Sequence, residues 1–355
     1  ADMDFATAPF VTDAIRKRCE NEVLGYTGKP DSYYNAIINW VKQRYDLIVT
    51  KEVINFVPGI VPGIGMAMNC FTQKGDKVMI QPPVYHPFAW VTTRNERTLV
   101  INPLRWENGM YRMDLDAFRE QIKGCKLFIL CNPHNPGGVV WTEAELRAIA
   151  DICYDEKVLV FSDEIHADLT LPPHTHRPFA TVSEKARMNS VTFMSPSKAF
   201  NMPGLSASHA LIFNEDLRKR FRIYMDAGEL DMGHVFAFLS VEAAYSHGTE
   251  WLDQCLAYIQ GNIDFVDEFL KKHAPKIKAI RPEASYLVWL DCRELELSQK
   301  DLNEFFVDKA HLALNDGEMF GKEGIGFMRL NVASPRCIIE KAMKQLADAY
   351  QLYIK

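Results

Sequence analysis

The chain has 355 residues, 24% of them charged and 48% hydrophobic, with a formal net charge of −6. That length suffices for one large domain with a sizeable core, or for two unequal ones, and the balance is that of an ordinary globular protein. Positive charge gathers into no run or stripe, which argues against a nucleic-acid partner, and apolar stretches such as 126–131 and 158–161 are far too short to cross a bilayer.

The sequence opens on Ala1 rather than methionine and carries no signal-peptide pattern, so its natural beginning is expected upstream. Segment 77–81 (KVMIQ) reads as a buried strand stopped by Pro82-Pro83. Segment 126–131 (KLFILC) reads as another, stopped by Asn132-Pro133. Thr142, followed by Glu143 and Glu145, opens a helix to about Glu156, with a hydroxyl N-cap and carboxylates in the first turn. Segments 158–162 and 190–194 predict two more strands, ending at Asp163 and Ser195. Strand–helix–strand order recurs, the pattern of an α/β fold with a mainly parallel sheet. Each strand delivers a polar cluster to its C-terminal edge, where such sheets bind ligands.

Beyond about Ala243 the pattern changes to a long helix (251–273), a strand-rich stretch (280–290) and a last helix near 336–350. We therefore expect an N-terminal segment 1–22, a large domain 23–248 and a smaller α+β domain 249–355. The eight cysteines are scattered without a C-x-x-C pair. They read as reduced, mostly buried thiols of a cytoplasmic protein, not as disulfides or a zinc site. His174 and His176, in a Pro-rich loop, read as solvated residues, so no metal is expected.

Three clusters carry chemistry. Ser195-Pro196-Ser197-Lys198 follows a buried strand and offers an amine beside hydroxyls, which suits a cofactor that needs an imine partner and donors for a phosphate. A lysine alone would be an ordinary surface residue. Asp163-Glu164-Ile165-His166 ends another strand, and a buried carboxylate beside a pyridine nitrogen keeps that nitrogen protonated. Asn132-Pro133-His134-Asn135-Pro136-Gly137-Gly138 ends a third; its asparagine can donate to a phenolate oxygen, although Asn, Pro and Gly also make plain turns. The glycines of Gly59-Ile60-Val61-Pro62-Gly63-Ile64-Gly65 have the wrong spacing for a dinucleotide fingerprint.

Asn135, Asp163 and Lys198, in this order at strand ends, resemble the class I/II aminotransferase family, the fold-type-I pyridoxal-phosphate enzymes, across essentially the whole chain. The resemblance implies the aspartate-aminotransferase-like fold, with Lys198 holding pyridoxal 5′-phosphate as a Schiff base. It implies Asp163 as the pyridine-nitrogen partner and Asn135 as the ligand of the ring oxygen. Ser195, Ser197 and the backbone N–H groups of Ile60 and Val61 would bind the phosphate, as a helix N-terminus can. Tyr85 would stack on the ring, with a plain core tyrosine the competing reading. Arg329 would grip the substrate's carboxylate in a fixed fork. Tyr26 would reach a neighbour's phosphate across a homodimer, against the alternative that it merely packs locally.

Two departures narrow the group. His166 stands where many relatives have tyrosine, and Ser206 where many have an arginine clamp on the phosphate. With Ala1-Asp2-Met3-Asp4-Phe5 and Tyr26-Thr27-Gly28, these features resemble the bacterial C–S β-lyases, including cystathionine β-lyase and cystalysin. The expected function is β-elimination from a cysteine-type amino acid, releasing thiol, pyruvate and ammonia. Transamination is the second reading, and a catalytically idle pyridoxal-phosphate-binding regulator the remote third. The expected partners are a small amino-acid substrate and a second copy of the chain.

Overall fold

In the structure, a computed structural model that describes residues 2–353, the chain alternates strands and helices through its first two thirds. The strands are β1 (Ile54–Val57), β2 (Lys77–Ile80), β3 (Thr98–Ile101), a hairpin of β4 (Arg105–Glu107) and β5 (Met110–Arg112), then β6 (Cys125–Cys131), β7 (Leu159–Asp163), β8 (Ser190–Met194) and β9 (Ser208–Leu211). The hairpin apart, they form a seven-stranded sheet ordered β1-β9-β8-β7-β6-β2-β3. Neighbours from β8 through β7, β6 and β2 to β3 pair in parallel. Strand β9 runs against both β8 and β1, so β1 points the same way as the parallel set.

The sheet is covered on both faces, and the period of two along β6 shows how. Leu127 and Ile129 join a core with helices Ile60–Phe71 and Glu215–Asp226, whereas Phe128 and Leu130 join one with helices Leu115–Gln121 and Glu143–Asp155. In helix Glu143–Asp155, Leu146, Ile149, Ala150 and Cys153 form one buried stripe at helical spacing. Its start is fixed by a capping box between Thr142 and Glu145.

After helix Thr249–His273 come β10 (Lys278–Ile280), β11 (Leu287–Asp291), β12 (Asn315–Asp316) and β13 (Phe327–Asn331), an antiparallel sheet ordered β10-β11-β13-β12. Helix Arg336–Tyr353 packs beneath it. A third core ties this part to the N-terminal residues, bringing Met3 and Trp40 together with Phe200, Leu252, Leu330 and Met343.

The four strands expected from sequence are present, each within one residue of its predicted ends. Strands β1, β3 and β9, each four residues long, are further members of the sheet that the sequence reading does not include. The stretch 280–290 holds the end of β10 and most of β11, with a break between Ile280 and Leu287. The eight cysteines are free thiols, five of them buried. Among the described residues no helix is long and apolar enough to cross a membrane. One histidine reading needs correction. His174 is exposed, but His176 is buried and bonds Glu164, because the loop folds back under β7 instead of into solvent.

On β9, His209 is fully buried and neither ring nitrogen has a partner among the described residues. Burial pushes its pKa down to about 3. The unfolded chain therefore binds a proton below about pH 6.5 that the folded chain refuses, and stability is lost as pH falls from there toward 3. This one group costs about 2 kcal/mol at pH 5 relative to neutral pH. His209→Leu should therefore narrow the gap between melting temperatures at pH 7.5 and pH 5, read by scanning calorimetry; an unchanged gap would count against the assignment.

Candidate active site

One edge of the large sheet collects the candidate residues, and the reversed β9 explains why so many meet there. Val57, the last residue of β1, pairs with Ser208, the first of β9. The same edge receives the ends of β6, β7 and β8, with Cys131 opposite Asp163 and Asp163 opposite Phe193. A cavity of about 210 Å³ opens above this edge, against the small sheet. Water occupies roughly 10–15 Å³ on this measure, so the space suits a small-molecule ligand and not a single solvent molecule.

Of the residues singled out from sequence, Ile60, Val61, Tyr85, Asn135, Asp163, His166, Ser197, Lys198 and Arg329 all line this cavity. Ser195 and Tyr26 do not. The Ser195 hydroxyl is turned into its own loop, donating to the Ala207 carbonyl at 2.8 Å and accepting from the Ser197 N–H at 3.1 Å. Tyr26 is 96% exposed and lies beside Met232 and Val235, away from the cavity.

The helix Ile60–Phe71 begins at the cavity wall with no side-chain cap, leaving its first N–H groups and the positive end of its dipole for a ligand. Opposite it, Asp163 is buried, and its Oδ1 accepts from the Ile165 N–H at 3.1 Å. Burial raises its carboxyl to about 7, with the neighbouring Glu164 adding to the rise and Lys198 opposing it. Lys198 Nζ lies 3.2 Å from Asp2 Oδ1. His166 is buried with Nδ1 unpartnered, and burial, helped by the charges of Lys198 and Arg329, pushes it down to about 3. It is therefore a neutral ring at ordinary pH.

Arg329, in the middle of β13, is 4% exposed. Nη1 donates to Asn135 Oδ1 at 3.0 Å and Nη2 to Asn315 Oδ1 at 2.8 Å, while Phe320 covers the guanidinium face at 4.6 Å. No carboxylate pairs with it among the described residues, and buried Nε has no partner. Burial lowers it only to about 10, so it stays charged. A buried cation without a counter-charge is unusual and points to an anion supplied from outside.

Several contributors escaped the sequence reading. Asn201, with φ 52°, holds the N-terminal segment by donating from Nδ2 to the carbonyls of Met3 and Phe5 and accepting the Met3 N–H. That grip, together with Asn331 Nδ2 donating to the Asp2 carbonyl at 2.7 Å, is what brings Asp2 to Lys198. Asn201, three residues after Lys198, gave no signal of this role, since no local pattern reveals a partner 198 residues away. Asn315, on β12 of the small sheet, and Phe320, on the short helical turn Gly317–Phe320 after it, gave no signal for the same reason. Glu164, beside Asp163, is structural: it accepts from Ser162 Oγ, the Phe179 N–H and His176 Nε2, each at 2.8 Å.

The mainly parallel sheet, the reversed β9 and a cleft joining a lysine, a buried carboxylate and an uncompensated arginine define an α/β protein that handles a small anionic ligand at its strand ends. The chain belongs to the class I and II aminotransferases, whose family model matches residues 2–346. It is 37% identical over 351 residues to cystathionine β-lyase PatB of Bacillus subtilis, covering 98% of this chain and 91% of that protein. It superimposes on cystalysin from Treponema denticola, whose structure contains pyridoxal 5′-phosphate, with TM-score 0.97 and 34% identity over 100% and 90% of the two chains. It also matches the pyridoxal-phosphate-bound C–S lyase of Staphylococcus hominis, with TM-score 0.92 and 34% identity over 99% and 90%.

Removing the Glu164 carboxylate strands a buried histidine and a buried N–H. Glu164→Ala should cost about 3 kcal/mol, read as a drop of several degrees in melting temperature, whereas Glu164→Gln, which keeps acceptor capacity, should cost less. Equal effects would show that the network contributes nothing beyond volume.

Proposed function

We propose that the protein is a pyridoxal-phosphate-dependent C–S β-lyase acting on cysteine-type amino acids such as cystathionine or cysteine. What carries the reading is one cavity containing Lys198, buried Asp163 and uncompensated Arg329, in a chain similar along its length to proteins named as such lyases. The donor set fits the cofactor. The uncapped helix at Ile60 and Val61 suits a dianionic phosphate, with Ser197 beside it. Asp163, raised toward neutrality by burial, needs a cationic neighbour to stay ionised, which a protonated pyridine nitrogen supplies. The Asn135 amide donors have no protein partner among the described residues and suit a ring oxygen. Tyr85, half-buried on the cavity wall, suits a flat ring.

When bound, pyridoxal phosphate supplies the electron sink for the pair left at the substrate's Cα. The chain's own residues do the rest. Arg329 holds the α-carboxylate, fixing which Cα bond faces Lys198. Lys198 Nζ, as a free amine, would take the Cα proton as general base. The Cβ–S bond then breaks with its electron pair leaving on sulfur, and a proton completes the thiol. Hydrolysis of the released enamine by one water gives pyruvate and ammonia, so substrate plus water balances thiol, pyruvate and ammonia. Neutral His166 adds no charge beside Lys198.

Transamination uses the same proton abstraction and differs in where the proton returns. The names of the similar proteins favour elimination. A homodimer with shared sites is supported by the exposed Tyr26 with its apolar neighbours Val23 and Leu24, 72% and 63% exposed. The eight free thiols suit a reducing cytoplasm. A division into large and small domains at Gly248, between helices Val235–His247 and Thr249–His273, remains our proposal.

The test is the absorbance of the purified protein before and after L-cystathionine, with pyruvate assayed in parallel. We expect a cofactor band that shifts in Lys198→Ala, and pyruvate from the wild type alone. Asp163→Asn should lower kcat by about a hundredfold or more, as expected for losing a charge that acts mainly in the transition state. Conversion to the pyridoxamine form without pyruvate would move the assignment to transamination, and no cofactor band even after reconstitution would sink it.

A further inference from the structure

The guanidinium of Arg329 is held by two side chains, and both are amides. Asn135 Oδ1 accepts from Nη1 at 3.0 Å, and Asn315 Oδ1 accepts from Nη2 at 2.8 Å. An amide oxygen fixes the plane of the fork as a carboxylate oxygen would, but carries no charge to neutralise it. The position of Asn315 is dictated by backbone pairing: β12 lies beside β13 with Asn315 directly opposite Arg329. A carboxylate at 315 would sit at salt-bridge distance from the same nitrogen. Asp316 is the next residue, and it is turned away. Its Oδ1 accepts from Gln299 Nε2 and the Glu318 N–H, and its Oδ2 from Asn303 Nδ2. The chain thus places its acidic residue one step beyond reach and an amide within it.

We infer that Asn315 is a positioning residue that orients Arg329 for the substrate carboxylate while leaving its charge uncompensated. This rests on the reading of Arg329 as the carboxylate grip. It adds that affinity for the carboxylate depends on residue 315 being neutral, and that substitution there separates binding from turnover. Asn315 is exposed, so its replacement does not threaten the core. Phe320 supports the same arrangement from the guanidinium face, where it contributes no opposing charge.

The experiment uses the cofactor-loaded protein with two probes: 3-(methylthio)propanoate, which has the carboxylate without the amine, and 2-(methylthio)ethylamine, which has the amine without the carboxylate. Asn315→Asp should weaken the carboxylate probe about fivefold or more, the effect of a competing ion pair worth about 1 kcal/mol. It should leave the amine probe unchanged. With L-cystathionine, KM should rise by a similar factor while kcat stays within about twofold. Asn315→Ala should show a smaller loss, because orientation goes but no competing charge arrives. Arg329→Ala is the control. If it abolishes carboxylate binding while Asn315→Asp binds as tightly as wild type, the inference is overturned. If Arg329→Ala also binds as wild type, the underlying reading of Arg329 fails, and the inference with it.

Discussion

Two charged groups buried in one cleft, neither of them ion-paired among the described residues, organise this structure. Asp163 sits on the floor with a single backbone N–H for a partner, and Arg329 on the roof with two amides and an aromatic face. Burial is costly for both, as the raised carboxyl and the lowered guanidinium reflect. Letting them meet would relieve that cost and fill the space a ligand needs. They are kept on different sheets instead, so the fold itself holds the unfavourable arrangement, and a ligand carrying a cation at one end and a carboxylate at the other relieves both.

Holding such groups apart requires rigid elements. Asp163 is the last residue of a strand paired on both sides, and Arg329 lies in the middle of β13 between β11 and β12. The parallel strands all end at one edge, so loops as distant in sequence as those bearing Asn135 and Lys198 open side by side. Strand β9 adds its beginning to that edge because it runs the other way, which is why Ser206, Ala207 and Ser208 line the cavity rather than the far side. The N-terminal segment, clamped by Asn201 and Asn331, closes one flank. Glu164 braces the floor from beneath by tying β7 to the loop that carries His176 and Phe179.

Much of this was legible in the sequence because its signals are local. The strands β2, β6, β7 and β8 are apolar runs with abrupt polar ends, and a residue within five positions of each end lines the cavity. Lys198, Asp163 and Asn135 could be named for that reason, and Thr142 for its capping pattern. What stayed hidden depends on distance along the chain. Asn315 matters only because β12 pairs with β13, and Asn201 only because the N-terminal segment crosses its loop. The hydroxyl of Ser195 looked free from sequence, yet the turn after β8 directs it to Ala207. His176 sat among prolines and a threonine, the composition of a solvated loop, and only the buried Glu164 draws it inward.

The absence of an arginine at position 206 bears on how the ligand's phosphate end is held. Ser206 adopts a left-handed backbone with φ 48°, exposed at the cavity wall, and cannot offer a fixed charge. On the proposed reading the phosphate end would face a helix dipole and neutral donors, whereas the carboxylate end would face the Arg329 guanidinium, so a substrate would be oriented mainly by its carboxylate. Such a division suits a reaction in which the bond to be broken lies at Cβ: the carboxylate fixes Cα over Lys198, and the departing sulfur needs room more than it needs recognition.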